Sequence, residues 1–170
     1  MKTTFLWATT LFALAFLGTA KAGLLLPDAP SETVYRGHDV KTWQEPVRSV
    51  TVLRCGKFPT VTPLFCDITQ DTGVVFSATE DFNHDGRKER AEVGFVVGNN
   101  GGVYSALIFS DATTGKHIQT LKMPGRGSSL VVQKDNLFWN CDGCMEAVKV
   151  EWRGKSYTLA FQQSGDEGAM

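Results

Sequence analysis

AEVGFVVGNNGGVYSALIFSDATTGKHIQTLK, residues Ala91 to Lys122, is the stretch that decides the fold. Ala91, Val93, Phe95 and Val97 alternate with other residues, so an extended chain places them on one face and puts Arg90 and Glu92 on the other. Asn99-Asn100-Gly101-Gly102 then supplies the residues that a tight hairpin needs, and Asp111 to Gly115 supplies a second turn before His117–Lys122. Strands at Ala91–Val97, Tyr104–Ser110 and His117–Lys122 joined in this way begin an antiparallel meander.

The same grammar continues in both directions. Val50–Leu53 and Val74–Ala78 read as strands before it, and Ser129–Gln133, Leu137–Asn140, Ala147–Trp152 and Tyr157–Phe161 as strands after it. Asp142-Gly143 and Arg153-Gly154-Lys155 mark the later turns, and Val148, Val150 and Trp152 oppose Lys149 and Glu151. The expectation is an all-β domain, an antiparallel meander of two packed, blade-like sheets over residues 49–163 with one buried face per sheet. It is too short for a full propeller, which needs at least four blades of about 40 residues. Residues 23–48, with Pro27, Pro30 and Pro46, read as an arm packed over the domain, with a helical turn near Val40 to Gln44 capped by Asp39. Residues 164–170 read as a loose polar tail.

Residues 1–22 have the form of a secretory signal: Lys2, an apolar run from Phe5 to Gly18, and Ala20-Lys21-Ala22 as a small-x-small cleavage site. The apolar run is shorter than the roughly 20 residues that span a bilayer. Its removal leaves 148 residues with 15 Lys and Arg against 18 Asp and Glu, a charge near −3 that argues against nucleic acid or an anionic membrane as the main partner. A periplasmic or secreted protein is expected. Cys55, Cys66, Cys141 and Cys144 all lie in the mature part, and an even count in an oxidising compartment favours disulfides, paired by proximity as Cys55–Cys66 and Cys141–Cys144. Zinc is the alternative, because Cys141-x-x-Cys144 has ligand spacing, although Cys55 and Cys66 have ten residues between them rather than two to four. A redox dithiol at Cys141-Asp142-Gly143-Cys144 would need a helix start, and its flanks read as strands.

DFNHDGRKERAE, Asp81 to Glu92, spells out a chemistry. Calcium takes six to eight oxygens, and alternate residues supply them when glycine allows a sharp turn. With Asp81 as position one, Asn83 is three, Asp85 five, Gly86 six, Arg87 seven, Glu89 nine and Glu92 twelve, which satisfies the whole EF-hand string. The flanks, however, read as strand, loop, strand. Three readings stand: a calcium loop between strands, a metal-free turn whose Asp and Asn side chains cap their own backbone, and a helical EF-hand using Glu92.

The stretch ATEDFNHDGRKERAEVG resembles the FG-GAP calcium loop of integrin-type β-propeller blades, roughly D-x-N-x-D-G-x-x-D before a strand that ends in glycine. The resemblance implies Asp81, Asn83, Asp85 and Glu89 as side-chain ligands of Ca2+ and the Arg87 carbonyl as a fifth. DATTGKHIQTL looks like a propeller-blade hairpin. The resemblance covers about twenty residues, has Glu where the family has Asp at position nine, and lacks the flanking Phe-Gly and Gly-Ala-Pro. Because the loop joins two core strands, its metal is expected to fasten the fold.

His38, His84 and His117 show no shared ligand or triad spacing, and there is no nucleophile elbow or phosphate-cradling glycine motif. Trp43, Trp139 and Trp152 read as core or rim packing, with a sugar-stacking platform as the sharper alternative. The expected function is non-catalytic: binding a protein partner in the cell envelope, as an enzyme inhibitor or immunity protein does. Tyr104 beside the glycine-rich turn and Arg126 on the Pro124–Ser128 tip are the candidate contact residues. The alternative is a cell-wall or carbohydrate hydrolase using acidic residues.

Overall fold

The computed structural model describes residues 25–26, 28–57, 59–123, 126–134, 136–142 and 147–161, with backbone alone at 68–71, 126, 141 and 142. The expected signal, the polar tail and the Cys141–Cys144 pairing lie outside the described residues. In chain order the elements are β1 (Val34–Tyr35), β2 (His38–Asp39), a 3-10 turn (Val40–Thr42), β3 (Val47–Val52), α1 (Pro63–Thr72), β4 (Ser77–Glu80), β5 (Glu89–Gly98) and β6 (Val103–Asp111). β7 (His117–Met123), β8 (Arg126–Gln133), β9 (Asn136–Asp142), β10 (Val148–Trp152) and β11 (Tyr157–Ala160) follow. All strand pairs are antiparallel, as the alternation predicts. Among the described residues no helix is long and apolar enough to cross a membrane.

Two sheets carry the fold. The larger has the order β3-β5-β6-β7, and β4 shares with β3 the remaining edge of β5. β4 pairs with the Glu89–Glu92 half of β5 and β3 with the Gly94–Gly98 half, so Gly94 sits where the two partners meet. A Cβ there would stand 2.4 Å from the Thr51 carbonyl oxygen, so only glycine permits this approach. The smaller sheet is the meander β11-β10-β9-β8. Between the sheets Leu130, Leu137, Trp139, Val148, Val150 and Tyr157 meet Ala91, Val93, Leu107, Phe109 and Met123 in one buried cluster. Gly127 lies under the Trp139 indole, where a Cβ would be 2.3 Å from the ring. Val75 exchanges two backbone hydrogen bonds with Leu130 and ties the approach to β4 onto β8.

One buried face per sheet is corrected for the larger sheet, which is covered on both sides. Tyr35, Val40 and Trp43 of the arm close over Val50, Val52, Val96, Ala106 and Ile108 in a second cluster. Asp39 caps the 3-10 turn by accepting from the Lys41 N–H at 2.9 Å, as its position predicts. The sequence reading missed the helix α1, although Pro63 at its first turn and Gly73 in the left-handed region after it (φ 70°) are ordinary helix punctuation. Cys66 of that helix is joined to Cys55, the first of the two expected disulfides. Trp43 and Trp139 are packed as core. Trp43 is buried edge-on to Tyr35 and stacked on His117 at 4.0 Å, which removes its ring from any sugar platform.

Candidate metal centre

β4 ends at Glu80 and β5 begins at Glu89, and the two residues are paired across the ladder. Asp81 to Lys88 therefore form the connection of a hairpin, and the helical flanks of an EF-hand are absent. Glu92 confirms the correction. It faces the arm, where it accepts from Arg36 Nε (2.8 Å), Arg36 Nη2 (2.7 Å) and the Tyr35 hydroxyl (2.5 Å). On a strand, residues 89 and 92 point to opposite faces, so Glu92 cannot join Glu89 at one ion.

The loop winds its polar side chains inward. Asp85 N–H donates to Asp81 Oδ1 (3.0 Å) and Asn83 Oδ1 (2.9 Å), Gly86 N–H to Asp81 Oδ2 (2.9 Å), and Arg87 N–H to Asp85 Oδ1 (2.8 Å). Asn83 Nδ2 donates to Asp85 Oδ2 at 3.1 Å. The sharp turn uses left-handed backbone at Gly86 (φ 87°) and at exposed His84 (φ 59°). These are the contacts that a self-capping turn makes, and each carboxylate retains further lone pairs.

The acids nevertheless converge. Asp81, Asp85 and Glu89 each offer one oxygen, and the three lie within 4.8 Å of one another. Ionised together they repel one another, which a divalent cation would reverse. Glu89 is 2 % exposed. Its Oε2 accepts from Phe82 N–H at 2.9 Å and from the Tyr157 hydroxyl at 3.1 Å, which leaves its second oxygen for a ligand. Burial pushes the Glu89 carboxyl above its ordinary range; the two hydrogen bonds pull it down, and the Asp85 and Asp81 charges add to the rise. Tyr157, buried against that carboxylate, has its hydroxyl raised further above the usual range. The donor set is all oxygen, which suits a hard cation such as calcium rather than zinc. A hollow of about 230 Å³ opens beside Asp81, lined also by Glu80, Phe82, His84, Val132 and Lys134.

The candidate contact residues are placed apart from this loop. Tyr104 folds back over its own hairpin: its ring lies against Gly98 and Gly102, and its hydroxyl accepts from Asn100 Nδ2 at 3.1 Å. Arg126 opens β8, paired with Asp142, so the expected long tip is corrected to the first residue of a strand. The residues that the sequence reading missed are Tyr157 and Phe82, which address Glu89. A tyrosine 68 positions away carries no sequence signal of that role. No family model, curated protein or solved structure matches the chain.

Proposed function

We propose that this is an exported β domain fastened by calcium, whose work is to bind a protein partner in the cell envelope, as an inhibitor or immunity protein binds an enzyme. The observation that carries the calcium reading is the convergence of Asp81, Asp85 and Glu89 at a hairpin between two strands of the larger sheet. Asn83 and the Arg87 carbonyl complete the ligand set implied by the FG-GAP resemblance, and water supplies the remainder. The disulfide Cys55–Cys66 suits an oxidising compartment. Tyr104 and Arg126 are the contacts proposed for the partner, held on a scaffold that the metal stiffens.

The reading is tested with the immobilised mature protein and envelope extract. Capture of one protein, weakened by Tyr104→Ala and Arg126→Ala at unchanged melting temperature, is the expected result. Loss of capture on chelation with melting unchanged would place the calcium in the interface itself.

A further inference from the structure

Glu89 carries the more informative anomaly of the loop. It is a carboxylate 2 % exposed, and among the described residues no cationic side chain lies within ion-pair distance of it. A buried charge without a counter-charge is costly, and this one stands beside two further acids. A divalent cation held by the loop would supply the compensating charge, so the burial of Glu89 accords with the calcium reading.

What holds Glu89 in place comes from two directions. Phe82 N–H belongs to the start of the loop, whereas the Tyr157 hydroxyl belongs to β11 in the other sheet. Tyr157 itself has little freedom. Its ring is stacked on Phe109 of β6 (3.8 Å between centroids, 7° between planes) and lies 4.8 Å from Trp152. Its backbone is clamped by Gln119 of β7: Tyr157 N–H donates to Gln119 Oε1 at 2.7 Å, and Gln119 Nε2 donates to the Tyr157 carbonyl at 2.9 Å. The position of one hydroxyl is thus set by both sheets, and it fixes the orientation of the buried carboxylate.

We propose that Tyr157 is the positioning residue for Glu89, so that a divalent cation in the loop fastens the smaller sheet to the larger one as well as stiffening its own hairpin. This rests on the calcium reading above. Groups that orient a metal ligand from outside the coordination shell commonly contribute 10- to 100-fold in affinity. Tyr157→Phe keeps the ring and its stacking and removes only the hydroxyl.

The test is a calcium titration by calorimetry, with amide hydrogen exchange in calcium and in chelator. In the wild-type protein calcium should slow exchange at Asp85, Gly86 and Arg87 and also at Thr158 and Ala160 of β11. Tyr157→Phe should bind about tenfold more weakly. At saturating calcium it should protect the loop amides without protecting β11. Gln119→Ala, which loosens the same clamp without touching Glu89, should also weaken binding and serves if Tyr157→Phe fails to fold. Unchanged affinity in the variant, or β11 protected equally in both proteins, overturns the proposal alone. A wild-type protein that takes up no calcium overturns the calcium reading and this inference with it.

Discussion

Glu89 and Glu92 stand on one strand, both nearly closed off from water, and the two faces of the larger sheet treat them differently. On the arm face Arg36 meets Glu92 with two hydrogen bonds, and Tyr35 adds a third. On the inter-sheet face Glu89 receives only neutral donors and two acidic neighbours. A carboxylate that the chain neutralises itself is structural. A carboxylate that receives only neutral donors beside two further acids is the one suited to a cation. The comparison separates a buried acid that clasps the arm from one that fits a metal, although both sit in the same polar string.

The largest expected effect tests the clasp. Glu92→Ala removes the carboxylate that the buried Tyr35 hydroxyl and the partly exposed Arg36 guanidinium share, and leaving a buried donor without its charged acceptor costs about 3 kcal/mol. Denaturant unfolding in chelator reads it, and a loss below about 0.5 kcal/mol would show that the ion pair adds little to the apolar contacts of the arm. Next comes the metal face. Calcium at a hundredfold excess over its dissociation constant should stabilise the wild-type protein by about 2.7 kcal/mol, and Asp81→Ala or Asp85→Ala should abolish that increment. Identical melting in calcium and in chelator would reduce the loop to a self-capping turn.

The smallest effect is a matter of sign. The Glu89 pKa is raised in the calcium-free native state, chiefly by burial, so the native state holds a proton more tightly than the unfolded chain does. Stability from this group is full below the ordinary glutamate range and is lost as pH rises through the folded pKa. In chelator, wild-type and Glu89→Gln proteins should therefore melt alike at low pH, and the variant should melt higher at pH 7 while binding no calcium. A wild-type protein more stable than the variant at neutral pH would mean that Glu89 already has its counter-charge, and the two faces would no longer differ.

Much of this was legible in the chain because the relevant signals are local. Alternation at Ala91, Val93 and Phe95 and the Asn99–Gly102 turn are properties of a few adjacent residues, and they led directly to antiparallel hairpins. The spacing of Asp81, Asn83, Asp85 and Gly86 likewise led to the loop. Where the reading went astray, the deciding partner was distant. Arg90 and Glu92 look like a solvent-facing strand edge until the arm, more than fifty residues earlier in the chain, is laid over them. Pro124–Ser128 looks like a long flexible tip because proline and glycine punctuate it, yet β8 is already paired at Arg126. The helix α1 was passed over because its short apolar pattern lies among β-type runs.

The sequence by itself determined that the chain is antiparallel β with an acidic loop between two strands, since strand period, turn chemistry and the spacing of the acids are written into neighbouring residues. Only the tertiary structure decided which of the two glutamates belongs to the loop. That choice depends on the strand pleat, which sends residues 89 and 92 to opposite faces, and on what packs against each face: an arginine from the arm on one side, a tyrosine from the last strand on the other.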